Sequence, residues 1–453
     1  MRLSLSIKIT KLEVFRMVLW NKLTTMTKVL HLCPRGLRCS ATTTRIAAVN
    51  YRSISSAAIR AGRVYLWGAA DSGILGQNLV EKKVDGTLST QYIAKPMLLD
   101  SPQITSLGIG YNYLIMADAT SDVLVTGLNL RSQLGLPASE NECIEGIRSV
   151  EMPHNFPIQQ VACGRSHSLI LTTNNQVYAA GNNLFGQCGI NQKSHEPEVT
   201  RFTQLESLPN LSFKQICCGL DHSLLVTTDG QVFSCGLSSD GQSGKYLTLR
   251  KFTCIMNLFY RVGLGKHENI YQFTCVEGEL KHKSIVHIAT SADTVLALAD
   301  DGSVYGWGDT EYSQLQFDDD AKQICLPKRI SLDCIKEKIV QVAAGGSFCL
   351  ACTETGNVFV WGFGALGVGN EIMDCREPRL IRFPDGAKVK KIACSINHAV
   401  ALSDTGKVYT WGRGSFGKLG IGNDEDAFAP CHVPLKDAAQ DIFCGPDNTA
   451  VIL

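Results

Sequence analysis

The chain has 453 residues, 45% of them hydrophobic and 19% charged, too apolar for a disordered protein and too long for a disulfide-stapled miniprotein. Its charge is divided: residues 1–60 hold eleven Lys/Arg against one acid, Glu13, for a net +10, whereas the other 32 bases and 41 acids leave residues 61–453 at −9. A mildly acidic body argues against DNA or RNA backbone binding as its main task, and no run of 18 uncharged apolar residues is present to span a membrane.

The N-terminal stretch MRLSLSIKITKLEVFRMVLWNKLTTMTKVL mixes apolar and basic residues at helical spacing, with Ser and Thr frequent and acids nearly absent. Those properties mark a mitochondrial transit peptide. Lys8, Lys11 and Arg16 interrupt the apolar core that a secretory signal needs. A disordered basic tail and a nucleic-acid-binding arm are the alternative readings. We take residues 1–60 as the leader, with processing near Arg52–Ser56. The expected location is the mitochondrial matrix or the matrix face of the inner membrane, with any membrane contact peripheral.

From residue 61 onward one motif recurs seven times: VYLWGAADSGILG, VLVTGLNLRSQLG, VYAAGNNLFGQCG, VFSCGLSSDGQSG, VYGWGDTEYSQLQ, VFVWGFGALGVG and VYTWGRGSFGKLG. Trp67, Trp307, Trp361 and Trp411 share one column. Gly68, Gly127, Gly181, Gly236, Gly308, Gly362 and Gly412 form the next without a break. A second motif, such as VACGRSHSLIL, ICCGLDHSLLV and IACSINHAVAL, also recurs seven times, and TTDGQ, ADDGS or SDTGK turns lead from it into the first. Each unit is therefore four short antiparallel strands, and the class is all-β. The first unit lacks its opening half and the last lacks its closing half. Pairing of the N- and C-terminal strands would complete one blade and close a seven-bladed β-propeller over residues 61–453. An open solenoid would leave two ragged ends.

Spacings along the Gly column are 59, 54, 55, 72, 54 and 50 residues, so one unit is oversized. Within it, KYLTLRKFTCIMNLFYRV (245–262) matches no repeat. Excising it restores a spacing of 54. The segment reads as a non-repeat insertion: a transcript or gene-model extra by the usual brevity of loops, or a functional loop.

The chemistry of the repeats is sparse. Gly412–Gly417 and Gly362–Gly367 match GxGxxG after a strand, but no helix follows, so they read as propeller turns and not as nucleotide sites. No P-loop is present. Cys349 and Cys352 fall on opposite sides of a strand, which disfavours joint metal ligation, and the other strand cysteines read as buried free thiols. No cofactor, metal site or catalytic constellation emerges. His167, His222 and His398 share one column, preceded by Ser166, Asp221 and Asn397; the same preceding position holds Asp293 and Asp447. Such a histidine can serve the fold by satisfying backbone groups between blades, or a partner by facing outward.

The A-C-G-x-x-H segment with strand-W-G and G-x-L-G resembles the regulator-of-chromosome-condensation repeat, in seven copies over essentially all of 61–453. With the leader, the chain most resembles the mitochondrial branch of that family. The resemblance implies guanine-nucleotide exchange on a mitochondrial GTPase and a link to mitochondrial ribosome and ribosomal-RNA biogenesis. It implies that Asp221, His222, His167, His398, Asp293 and Asp447 face the partner, with Asp221 disturbing the nucleotide and Mg²⁺ site and His222 and His398 binding the GTPase surface. The other function class is a non-exchanging scaffold that binds ribosomal-RNA enzymes or ribosomal proteins.

Overall fold

The computed structural model describes residues 61–453 except 71, 77–80, 83–87, 90–91, 155, 191–196, 207, 209–210, 239–260, 266–267 and 317–322. The leader, residues 1–60, and residues 245–260 of the expected insertion thus lie outside the described residues.

Seven four-stranded antiparallel sheets form the blades of a propeller. Blade 1 runs Ile104–Ile109, Tyr113–Asp118, Val123–Leu128 and Cys143–Val150, and blade 2 runs Ile158–Cys163, His167–Thr172, Val177–Asn182 and Glu198–Gln204. Blade 3 is Phe213–Cys218, His222–Thr227, Val232–Gly236 and Ile270–Cys275; blade 4 is Ile285–Thr290, Thr294–Ala299, Val304–Asp309 and Gln323–Arg329. Blade 5 is Ile339–Ala344, Phe348–Thr353, Val358–Phe363 and Asp374–Ile381; blade 6 is Val389–Cys394, His398–Ser403, Val408–Gly412 and Ala427–His432. Blade 7 takes its first two strands, Asp441–Cys444 and Asn448–Ile452, from the C-terminus and its last two, Val64–Ala69 and Tyr92–Leu98, from the N-terminal side. Val64 pairs with Ile452 and Gly68 with Asn448, which closes the ring.

One contact explains the glycine column. Every column glycine has φ between +95° and +120°. A Cβ there would lie 2.0–2.6 Å from the carbonyl oxygen of the residue preceding strand 2, such as Asp221 opposite Gly236 or Asp293 opposite Gly308. That same carbonyl accepts the next backbone N–H, as Leu237 donates to Asp221 at 2.8 Å. Only glycine allows the two chain segments this close.

The tryptophans seal the blade junctions. Trp67, Trp307, Trp361 and Trp411 are wholly buried, and three of them donate Nε1–H to the preceding blade: Trp67 to Lys418 O (2.9 Å), Trp307 to Arg261 O (3.1 Å) and Trp361 to Gln314 O (2.7 Å). Trp411 has no acceptor. It faces blade 5, whose loop is shorter, and Gly367 of that loop lies against the ring.

A glutamine clamp supplements the apolar packing. The side chain of Gln160 brackets Ile216 of the next blade, donating to its carbonyl and accepting from its N–H, both at 2.9 Å. Gln215 does the same to Ile288, and Gln341 to Ile392. Each clamp satisfies both polar groups of one buried backbone position.

Candidate functional site

In every complete blade strand 2 begins where strand 3 ends, as the pairs His167–Gly181 and His222–Gly236 show. The turns between strands 1 and 2 and the loops between strands 3 and 4 therefore share one face of the ring. All six candidate residues sit at this face, but at different depths.

The histidines are inside it. His167, His222 and His398 are completely buried. His167 Nε2 meets Ser223 Oγ of the next blade at 2.9 Å, His398 Nε2 meets Thr449 Oγ1 at 2.9 Å, and His222 Nε2 lies 3.4 Å from Thr290 Oγ1. Burial holds the His167 imidazole down to about 3 and puts His222 and His398 well below the usual range. The column is thus a set of neutral, inter-blade hydrogen-bonding residues. The expectation of direct histidine contact with a partner is corrected: a side chain with no exposed surface has nothing to offer a docked protein. His398 Nε2 also lies 3.2 Å from Cys444 Sγ. Burial drives that thiol well up and that imidazole well down, so the pair is not an activated nucleophile.

The acids form a charged array at the mouth of the ring. Asp221, with a 1% exposed side chain, pairs with Arg165 and lies 3.4 Å from Nη1 of Arg261. Asp293 is 16% exposed and takes Arg261 in a two-pronged pairing, Nε to Oδ1 at 2.7 Å and Nη2 to Oδ2 at 2.9 Å. Asp447, 33% exposed, pairs with Lys418 at 2.8 Å. Burial raises the Asp221 and Asp293 carboxyls against the lowering pull of the arginines. The neighbouring Asp309 is pushed up to about 7, again chiefly by burial. Tyr111, raised to about 12 by burial, feels Arg165, Asp293, Asp447 and Asp221 and so belongs to the same mouth.

Two features of this face escape the repeat pattern. Arg261 and Val262, counted above within the insertion, are buried members of the ring at 6% and 0% exposure, and the expected boundary at 262 is corrected accordingly. Around the mouth, the ends of the third strands and the loops that follow them carry exposed apolar side chains: Leu130 and Leu184 at 54%, and Phe363 and Phe416 at 41% and 37%. Phe363 stacks on Tyr312 of the adjacent blade at 5.6 Å. A hydrophobic side chain at the apex of a polar turn was the available signal.

Among the described residues no group of three or more His, Cys, Asp and Glu is placed to hold a metal, and the cysteines are free thiols. Cys349 and Cys352 are buried in separate apolar clusters. No described helix is long and apolar enough to cross a membrane.

The profile of the RCC1-like domain matches residues 198–453, and that of the regulator of chromosome condensation (RCC1) repeat matches residues 158–187. The chain belongs to the RCC1-like family. A mouse relative, RCC1-like G exchanging factor-like protein, is 32% identical over 435 residues, 89% of either chain. A bovine relative, secretion-regulating guanine nucleotide exchange factor, is 30% identical over 71% of this chain and 64% of its own. The crystal structure of human WBSCR16 is 31% identical and superposes with a TM-score of 0.75 over 86% of this chain and 99% of that one. The RCC1-like ring of this chain has the blade count and closure expected from its repeats.

Proposed function

We propose that this RCC1-like chain is a mitochondrial guanine-nucleotide exchange factor that docks a GTPase on the mouth face of its ring. One arrangement carries the reading: the exposed side chains of Leu130, Leu184, Phe363 and Phe416 surround a mouth set with Asp221, Asp293 and Asp447, in a family whose members are named for guanine-nucleotide exchange. Exposed apolar side chains gathered on one face mark an interaction site.

Exchange asks no bond-making of the protein. A ring that binds the nucleotide-free GTPase more tightly than the loaded one shifts its population toward release. In this reading the apolar tips supply the grip. Asp293 and Asp447, which retain exposure, bring negative charge toward the Mg²⁺ and phosphate region, and the three buried histidines keep the blades in register. Mitochondrial placement rests on the basic leader, and the link to mitochondrial ribosome biogenesis rests on the family resemblance.

The test is release of a fluorescent guanine nucleotide from mitochondrial GTPases, with the full chain and with the double variant Leu130→Glu/Leu184→Glu. Leu380→Glu, on an outermost strand away from the mouth, is the control. The expected result is accelerated release by wild type and by the control, lost in the double variant at unchanged melting temperature. No acceleration with any GTPase overturns exchange. If the double variant then also loses capture of ribosomal proteins or ribosomal-RNA enzymes, the face is that of a non-exchanging scaffold.

A further inference from the structure

Arg261 comes from a stretch the repeats do not predict, yet it fills a position the repeats define. Its carbonyl takes the Trp307 indole N–H, as the carbonyls of Lys418 and Gln314 take those of Trp67 and Trp361. The Val262 carbonyl accepts Ser234 Oγ–H at 2.5 Å, as that of Leu419 accepts Thr410 Oγ1–H at 2.6 Å. Gly263 follows at φ +70° against the Trp307 ring, as Gly420 does at +71° against Trp67. Position 261 is thus the loop position occupied by Gln133, Gln187, Gln314 and Lys418 elsewhere.

Charge at this position is matched to the next blade. Lys418 precedes the turn bearing Asp447 and pairs with it. Gln133 and Gln314 precede turns bearing Ser166 and Ser347. Gln187 precedes the turn bearing Asp221, and there Arg165 supplies the cation. Arg261 precedes Asp293 and grips both its oxygens while reaching back to Asp221. A neutral residue at 261 would leave Asp293 beside Asp221 with no cation from its own junction.

We propose that Arg261 is a positioning residue of the exchange face: it holds the Asp221 and Asp293 carboxylates side by side at the mouth. What the acids do for a partner rests on the exchange reading; their dependence on Arg261 does not. The charges bearing on them are Arg165 and Arg261 on Asp221, with Arg261, Asp221 and Arg165 on Asp293. Asp309, Tyr111 and the neutral His222 complete the surroundings. Both carboxyls are already raised by burial, so loss of Arg261 raises them further. A raised carboxyl pKa takes stability away above it and returns it on acidification.

The experiment compares full-length wild type, Arg261→Gln and Arg261→Lys by melting at about pH 7.5 and in steps down to about pH 4.5, because a raised carboxyl takes up its proton earlier in the folded chain than in the unfolded one as the pH falls. Contributions of the buried histidines that do not feel Arg261, His167, His287 and His398, cancel in the differences. His222 and Asp309 do feel it, so their shares follow the charge at 261 together with those of the two carboxyls, and Arg261→Lys, which keeps that charge, restores all of them. Arg261→Gln should melt several degrees below wild type at the highest pH, with the gap at least halved at the lowest, and Arg261→Lys should recover most of it. Nucleotide release should slow severalfold in Arg261→Gln and recover in Arg261→Lys. A gap independent of pH, or Arg261→Lys melting as low as Arg261→Gln, shows that Arg261 only packs and overturns the proposal. If wild type accelerates release and Arg261→Gln does so equally, the role at the exchange face falls while exchange stands. If wild type accelerates nothing, exchange falls and the pH-dependent gap still decides for or against Arg261.

Discussion

Lys418 Nζ lies 2.8 Å from the Asp447 carboxylate, across the junction between blade 6 and the blade that closes the ring, and its side chain is 1% exposed. The same ammonium donates to Pro446 O at 3.3 Å. A buried cation is stable only with such partners, and removing one member of the pair strands the other. Asp447 is 33% exposed, so water offsets part of its loss. Lys418→Gln, which installs the residue found in blades 1, 2 and 4, should therefore cost about 1–2 kcal/mol in urea unfolding. A loss well under about 0.5 kcal/mol would mean that solvent already carries Asp447.

The tryptophans allow a differential test. Trp361 donates to Gln314 O, whereas Trp411 has no acceptor. Trp361→Phe removes ring area and leaves a buried carbonyl unpaired; Trp411→Phe removes ring area alone. The first should cost more by roughly 1 kcal/mol, and Trp361→Ala should cost roughly 3–5 kcal/mol because a large cavity opens. Equal losses in the two phenylalanine variants would show that the indole hydrogen bond adds nothing net.

The ring was largely legible because its constraints are local and repeated. A glycine that must face a carbonyl and a tryptophan that must fill a junction recur at fixed positions, and the split unit announces its closure. Depth was harder to read. Asp221 and Asp293 stand in equivalent turns of adjacent blades, yet Arg165 and Arg261 close over Asp221 and leave Asp293 partly open. The histidine column admitted an outward and an inward reading, and only the contacts with Ser223 and Thr449 decide it. Gln160, Gln215 and Gln341 lie one residue before an apolar one in strand 1 and look like solvent-facing polar positions; their partners are backbone groups of another blade. Gln242-Ser243-Gly244 and Arg261-Val262-Gly263 both fit the loop motif, so spacing alone could not say which the ring uses.

One column position invites improvement. His287 occupies blade 4 where blades 2, 3 and 5 have the clamping glutamine, and its Nδ1 has no partner. Burial lowers its imidazole to about 4. With the folded value below the unfolded value near 6.5, the unfolded chain binds the extra proton on acidification, and stability falls by up to about 1.4 kcal/mol per pH unit below about 6.5. His287→Gln should gain about 1 kcal/mol at neutral pH by clamping Val342. It should also flatten the decline of melting temperature between about pH 6.5 and 4.5 by one histidine's share. An unchanged decline would mean that His287 is protonated or hydrated in the fold.

The leader prediction is independent of the ring. Net positive charge is concentrated in residues 1–60, at +10 with a single acid, the composition that import machinery recognises. A reporter fused to residues 1–60 should enter mitochondria and be shortened, and replacing Lys8, Lys11 and Arg16 with Glu should leave it in the cytosol. Cytosolic retention of the unmutated, uncleaved fusion would remove the ground for a mitochondrial partner.

Deleting residues 245–262 tests whether Gln242 can take the loop position that Arg261 fills. Gln242 already stands six residues after Gly236, the separation of Gln133 from Gly127 and of Lys418 from Gly412, and the deletion joins Gly244 directly to Gly263. Blade 3 then has a full loop motif, so the ring should close and unfold cooperatively. The price is charge: Asp293 loses Arg261 and gains a neutral amide. The deleted chain should therefore melt below wild type at about pH 7.5 and approach it at about pH 4.5, following Arg261→Gln in both respects. A second deletion, of residues 245–260, retains Arg261 and Val262 and should keep the neutral-pH stability that the longer deletion loses. If the two deletions melt alike at every pH, Arg261 has no electrostatic part in the junction. If the longer deletion fails to fold while Arg261→Gln folds normally, Gln242 cannot take the loop position, and the Arg261–Gly263 stretch is the sole means of closing blade 3.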